Sequence, residues 1–331
     1  MGTHNTLTIL ETISLVQQSL YNHQIHHRLK LLGKIYRFRD NSVWNGGIRV
    51  QRVTFTNSRG QSIELSNRAP FLLSKIEGLG DVDADTQMQK APFQDGATYT
   101  DSVLQERPIT LEIGIIGDNP QDVQAKRSFF ASVFNPKLGE GLLIYENDSG
   151  IREIKAVADG VPAFPSGSEN RGNTFQRSLI NLICPDPYWK SPQVTEEPMA
   201  AFVPLFEFPF DDEFEVGSQG DKRTFINDGD SPTPVLIRFR GPAVNPEIRN
   251  NTTGEIIRVN RTLGPGDELV INTAEGEKSV EINGEDVFSW IDLDSDFWKL
   301  AIGENEIEYR ADSGQAEATL TIEWQEKFVA V

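Results

Sequence analysis

The last third of the chain, from Phe225 to Trp324, is built of short apolar runs separated by turn residues at nearly even spacing. Val235-Leu236-Ile237-Arg238-Phe239 precedes Gly241-Pro242, and Ile256-Ile257-Arg258-Val259 precedes Gly264-Pro265-Gly266-Asp267. Glu268-Leu269-Val270-Ile271 leads to Glu275-Gly276, Ser279-Val280-Glu281-Ile282 leads to Asn283-Gly284, and Ala318-Thr319-Leu320-Thr321-Ile322 closes the series. Strand-length runs with Gly, Pro, Asn and Asp between them predict an antiparallel β-sandwich. No catalytic constellation interrupts the series. The question therefore moves from what the chain reacts with to what it holds, or what holds it.

The length, 331 residues, suits two domains. An apolar share of 38% is enough for ordinary cores, and a charged share of 24% is that of a globular chain. The formal net charge of −18 argues against DNA or an anionic membrane as a surface to grip, and solubility accounts for it. The single cysteine, Cys184, stands in the apolar run Leu182-Ile183-Cys184. A lone thiol forms no intrachain disulfide, and all four histidines lie before residue 28, so Cys184 reads as a small core residue rather than a nucleophile. No run is long and apolar enough to span a bilayer, and the first residues lack the pattern of a secretory signal.

Thr6 to Gly33 reads as a helix, with Ile9, Ile13, Val16 and Leu20 at three- and four-residue steps and Thr6 or Asn5 as cap. From Trp44 the pattern becomes β. Ile48 to Phe55 pairs with Gln61 to Leu65 across Asn57-Ser58-Arg59-Gly60, and Phe71 to Ile76 follows as a third strand. Gly78 to Thr100 is polar and acidic and reads as a long loop, a length that tends to be functional. Ser102 to Ile116 reads as one long strand. Asn119 and Pro120 open a helix that carries Val123, Arg127, Phe130 and Phe134 on one face and stops at Asn135-Pro136. Gly141 to Tyr145 and Arg152 to Val157 pair over Asn147-Asp148-Ser149-Gly150. Ser166 to Asn173 is a connection, and Thr174 to Ile183 a further strand. Pro185-Asp186-Pro187-Tyr188-Trp189, then Pro192, Pro198 and Pro204, place a boundary near residue 195. The expected division is a helical extension over 1–43, a sandwich with one packed helix over 44–195, and a second sandwich over 196–331.

Asp81, Asp83 and Asp85 open like a calcium loop, but its sixth position is Thr86 and its twelfth Pro92. Asp292, Asp294 and Asp296 fail in the same way, with Phe297 in sixth place. Both read as solvated acidic loops. His23 and His27 lie one turn apart, yet no Glu completes a metalloprotease pattern and no third ligand is evident, so they read as a polar helix face or an interface. No phosphate-cradling loop, dinucleotide fingerprint or nucleophile elbow is present, and no pair among the many carboxylates stands out. No catalytic, metal or cofactor-binding residue is expected, and the chain does not read as an enzyme. The glycosylation triplets at Asn147, Asn251 and Asn260 read as chance matches. Trp290, Trp298 and Trp324 read as core; exposed on a sandwich, such rings bind sugars by stacking.

Several stretches together resemble the phage tail component family, the distal tail proteins of long-tailed bacteriophages. They are Asn227-Asp228-Gly229-Asp230, Gly241 with Asn245-Pro246-Glu247-Ile248, Asn251-Thr252-Thr253-Gly254-Glu255, and Gly266-Asp267-Glu268-Leu269-Val270-Ile271. Leu300 with Gly303-Glu304-Asn305-Glu306-Ile307-Glu308-Tyr309 and Ile322-Glu323-Trp324 complete the set in the last third. Phe93-Gln94-Asp95-Gly96-Ala97 and Asp186-Pro187-Tyr188-Trp189 add to it in the first domain. The resemblance covers about residues 48 to 331, and the helix from Thr6 to Gly33 is extra to it.

The resemblance implies a mainly β chain: a first sandwich with a helix that forms a six-membered ring under the tail tube, and a galectin-like, jelly-roll second sandwich pointing outward. It implies a virion protein of the tail tip or baseplate, made and assembled in the host cytoplasm. Its partners would be its own copies, the tail tube protein, a tail-tip hub or tail-associated protein and receptor-binding components. It implies no enzyme, no cofactor and no membrane, with DNA passing through a channel unbound. In a ring, Gly78 to Thr100 is expected to reach a neighbouring subunit or line that channel. Asp81, Asp83 and Asp85 would then be lining residues whose charge keeps DNA from sticking. A carbohydrate-binding module contacting the host cell wall is the alternative. A glycan hydrolase is a third reading, supported only by the abundance of Asp and Glu.

Overall fold

The computed structural model describes residues 51–199, 222–314 and 318–331. The expected 1–43 extension, with the Thr6–Gly33 helix, His23 and His27, lies outside the described residues. So do Trp44 and the start of the strand at Ile48. Residues Arg49–Val331 form one compact unit. It is mainly β and holds two hydrophobic cores.

The first core is enclosed by β1 (Arg52–Thr56), β2 (Ser62–Leu65), β3 (Phe71–Glu77), β6 (Arg107–Ile116), β7 (Gly141–Asn147), β8 (Gly150–Ala158) and β9 (Phe175–Cys184), in the order β2-β1-β7-β8-β9-β6-β3. β8 belongs to two layers: Ile151 to Ala156 pair with β7, whereas Val157 and Ala158 pair with β9. A strand shared in this way turns the sheet over on itself and makes a sandwich. The far edges meet again where Leu73 N–H donates to Ser66 O at 2.8 Å. Alternation decides which side chains go inside. Ile109, Leu111, Ile113 and Ile115 of β6 are fully buried, with their partners Ile180 and Leu182 of β9.

Helix α1 (Pro120–Val133) closes this core. Asn119 Oδ1 accepts from Asp122 N–H at 2.9 Å, and Pro120 occupies the first turn, where no amide partner is needed. The helix delivers Phe130 and Val133, and Phe134 follows it. Phe134 stacks on Phe55 at 4.7 Å between centroids, and Phe130 packs on Phe71 at 5.9 Å. Each such ring, fully buried, contributes about 1.5–3 kcal/mol.

The expected long strand from Ser102 to Ile116 is two strands. β5 (Thr98–Leu104) ends before Gln105-Glu106, and β6 begins at Arg107. The expected loop from Gly78 to Thr100 is also corrected: it contains β4 (Ala84–Gln89), which pairs only with β5. The reason is the same in both cases. Arg107 onward has one apolar face and joins the sandwich, whereas β4 and β5 have none and pair with each other outside it.

After β10 (Trp189–Lys190) and β11 (Thr195–Met199) come β12 (Lys222–Asn227), β13 (Thr233–Arg240), β14 (Ala243–Val244), β15 (Glu247–Asn250), β16 (Glu255–Arg258) and β17 (Thr262–Leu263). β18 (Glu268–Asn272), β19 (Ser279–Ile282), β20 (Glu285–Asp286), β21 (Lys299–Leu300), β22 (Gly303–Arg310), β23 (Thr319–Trp324) and β24 (Lys327–Phe328) complete the chain. One layer runs β11-β23-β13-β18-β19-β20 and the other β12-β22-β15-β16. The second core lies between them, and Ile237, Phe239, Ile271, Ile307, Tyr309 and Ile322 are all fully buried in it. β24 leaves this sandwich and pairs with β10, extending the sheet of the first.

Candidate assembly interface

The β4–β5 ribbon is where the described chain leaves its packed layers. Asp85 stands opposite Val103, Thr86 opposite Ser102 and Met88 opposite Tyr99, with a bulge between Gln87 and Met88. Opposite residues share a face. Apart from Leu104 at its root, every residue of both strands is exposed. Met88, Tyr99 and Val103 therefore carry apolar surface with no core beneath them.

The tip is ordered by one side chain. Gln94 Oε1 accepts from Ala91 N–H at 3.0 Å, and its Nε2 donates to Thr98 Oγ1 at 3.2 Å. Next to it Phe93 has a φ of 65° and a ring wholly exposed to solvent. A left-handed backbone costs a bulky residue about 1–2 kcal/mol. The free chain gains nothing from the ring to offset that. Aromatic side chains held out in this way are the residue type that anchors interfaces.

The root carries the three aspartates singled out above. Asp81 Oδ1 accepts from Gly78 N–H at 3.1 Å and caps the turn there. Asp83 acts through its carbonyl, which accepts from Gln105 N–H at 2.8 Å and closes the base of the ribbon. Asp85 is on β4. All three side chains are exposed and share no partner. From residue 78 to 105 the segment holds five aspartates and one lysine.

Two buried side chains fix the root. Arg107 Nη1 donates to Gly78 O at 2.9 Å, and Trp189 Nε1 donates to Leu79 O at 3.2 Å. Gly78 is required: its φ is +89°, and a Cβ there would stand 2.0 Å from Pro108 O. Sequence reasoning missed Arg107, although it has the phase of Ile109, Leu111 and Ile113 on an alternating strand. That parity places it inside.

The other candidates do not build a site. Trp298 and Trp324 are core, at 1% and 3% exposure, and Trp290 is partly buried with the Arg261 guanidinium 3.6 Å over its ring. Burial closes both faces of Trp298 and Trp324 to sugar stacking, and the guanidinium covers one face of Trp290. Cys184 is fully buried, and burial pushes its thiol up to about 12, so it stays protonated. Asp292 accepts from Asn260 Nδ2 and from Asp294 N–H, which makes it a loop brace. Among the described residues no group of three His, Cys, Asp or Glu side chains is placed to hold a metal ion, and no helix is long and apolar enough to cross a membrane.

Two family models match the chain. Residues 58–184 match the phage tail protein RIFT-related domain, and residues 228–328 match the C-terminal domain of the siphovirus-type tail component. Among solved structures, the Dit protein (gp 19.1) of phage SPP1 is described as a paradigm of the hub adsorption apparatus in phages that infect Gram-positive bacteria. It aligns with a TM-score of 0.61 at 15% identity, over 83% of this chain and 99% of that one. At that identity the likeness speaks to the fold. The phage p2 baseplate in its activated conformation with Ca aligns with a TM-score of 0.47 at 10% identity, over 86% of this chain and 100% of that one. No curated protein matches.

Proposed function

The chain belongs to the siphovirus-type phage tail component family, and from that premise we propose that it is the distal tail protein that joins the tail tube to the tip or baseplate. As a member of that family it is a structural component of a phage tail. In the finer reading, residues 44–195 build a six-membered ring around a channel for DNA. Residues 196–331 form a galectin-like module that points outward toward tip and receptor-binding components.

The exposed ribbon carries this reading. A closed ring of more than two subunits requires one patch of a subunit to meet a different patch on the next. A ribbon that leaves its own core, exposes Met88, Tyr99 and Val103, and ends in a constrained Phe93 is a means of reaching that second patch. Asp81, Asp83 and Asp85 belong to the same segment. Facing the lumen, they would repel the phosphates of passing DNA, where a basic lining would bind them by counterion release.

The test replaces residues 84–104 by a short Gly-Ser bridge, which the contact between Asp83 and Gln105 makes geometrically easy. The expected product is a folded chain that no longer closes rings, read by native mass and electron microscopy. Rings of normal size and number would refute the assignment. A ring in which Asp81, Asp83 and Asp85 lie on the outer surface would refute their role as lining.

A further inference from the structure

Segments far apart in the chain converge behind the ribbon. Arg107 is fully buried, and its guanidinium donates in three directions: from Nε to Pro187 O at 2.7 Å, from Nη1 to Gly78 O at 2.9 Å and from Nη2 to Val329 O at 2.6 Å. One side chain thus joins the ribbon root, the link between the sandwiches and the last residues described. The planar fork of donors suits this, because each N–H direction is set by the others. The cation is out of water, so a carbonyl that moved away would leave a buried charged donor unsatisfied.

The segment Gln325 to Val331 is held from both sides. On the first sandwich, Trp189 pairs with Phe328 and Lys190 with Lys327, and Gln325 Nε2 donates to Glu153 Oε1 at 3.0 Å. Lys327 Nζ lies 3.1 Å from Asp186 Oδ2, and the Arg152 guanidinium covers the Phe328 ring at 3.7 Å. On the second sandwich, Asp230 N–H donates to Lys327 O at 2.7 Å, and Val329 N–H donates to Asp230 Oδ2 at 3.3 Å. The segment then ends against the ribbon root: Ala330 lies 3.5 Å from where a Cβ on Gly80 would stand, and Leu79, Phe328 and Val331 pack on the first core.

We infer that Arg107 and the segment Gln325–Val331 form a clasp that sets the direction of the ribbon relative to the second sandwich, so that a displacement of that sandwich is passed to the ribbon. Arg107 is the positioning residue. That the ribbon touches a neighbouring subunit rests on the function proposed above; the clasp itself does not.

Hydrogen–deuterium exchange on the full chain tests it, with Arg107→Lys, Arg107→Met and a chain ending at Phe328, which lacks the Val329 acceptor. Ile154→Val serves as a control substitution elsewhere in the first core. In Arg107→Met and in the shortened chain, amides from Gly78 to Asp83 and at Gln105 are expected to exchange about tenfold faster or more, the scale of one lost hydrogen bond from a charged donor. Arg107→Lys falls between these and the parent, and Ile154→Val leaves the root unchanged. Core amides of β7, β9 and β18 keep their protection. An unmoved root, or root and cores loosening together, overturns the clasp. Should Arg107→Met fail to fold, the shortened chain decides. Ring formation by the same variants is scored separately. A loosened root with undisturbed rings leaves the clasp standing and counts against the ribbon as the subunit contact.

Discussion

At the scale of single residues, Phe93 is where the needs of the free chain and those of the proposed assembly can be told apart. Its ring touches no core, and its φ of 65° is a conformation that Asn adopts more readily. Phe93→Asn is therefore expected to hold the thermal midpoint of the isolated chain or raise it by about 2–4 °C as the backbone strain is relieved, while self-association weakens about tenfold or more. Calorimetry and sedimentation on the same samples check both halves. A variant that assembles as the parent does removes Phe93 from the interface. Asp81 carries the opposite lesson. Its place in an acidic triplet suggested charge as its role, yet its carboxylate also caps Gly78, so its loss disturbs the ribbon root as well as any channel.

At the scale of elements, α1 is where local chemistry and packing agree. Asn119 caps it, and the Asp122 carboxylate accepts from Asp118 N–H and sits 2.6 Å from Lys126 Nζ. Asn119→Ala is expected to cost about 1 kcal/mol, read as a lower midpoint in urea with an unchanged slope. The helix was legible in the sequence because its cap, its proline and its buried stripe all pointed the same way. The strands at Val235, Ile256, Glu268 and Ser279 were legible because a half-buried strand alternates. The ribbon was not: Thr98-Tyr99-Thr100 favours extended backbone, but a strand wet on both faces shows no alternation, and Gly78 to Thr100 passed for a loop. β24 was hidden for another reason. It has two residues, and its partner β10 lies far back in the chain. The proposed interface thus lies in the part of the sequence with the weakest periodic signal, and Arg107, whose phase was visible, became informative only with its three acceptors in place.

At the scale of the whole molecule, a charge cluster where the two sandwiches meet links cohesion to pH. Burial works against ionisation of Asp186, but Lys327 and Lys190, each 3.1 Å from Oδ2, outweigh it and hold its carboxyl below the usual 3.8. A carboxyl depressed in the folded state stabilises the fold above its unfolded pKa, and that stability is lost as pH falls through the folded value. The junction is therefore expected to weaken as pH drops below 3.8, with the two sandwiches beginning to melt separately. Asp186→Asn should flatten that dependence and cost roughly 1 kcal/mol at neutral pH, since the pair is partly open to solvent. Denaturant titrations at several pH values decide, and an unchanged slope clears Asp186 of the role. The ribbon has a consequence at the same scale. Its two outer backbone edges are open, and open edges template the endless stacking of like on like that ends in fibres. Five aspartates against one lysine make two such ribbons repel, so the charge set among the exposed apolar side chains keeps newly made chains from tangling with one another through those open edges.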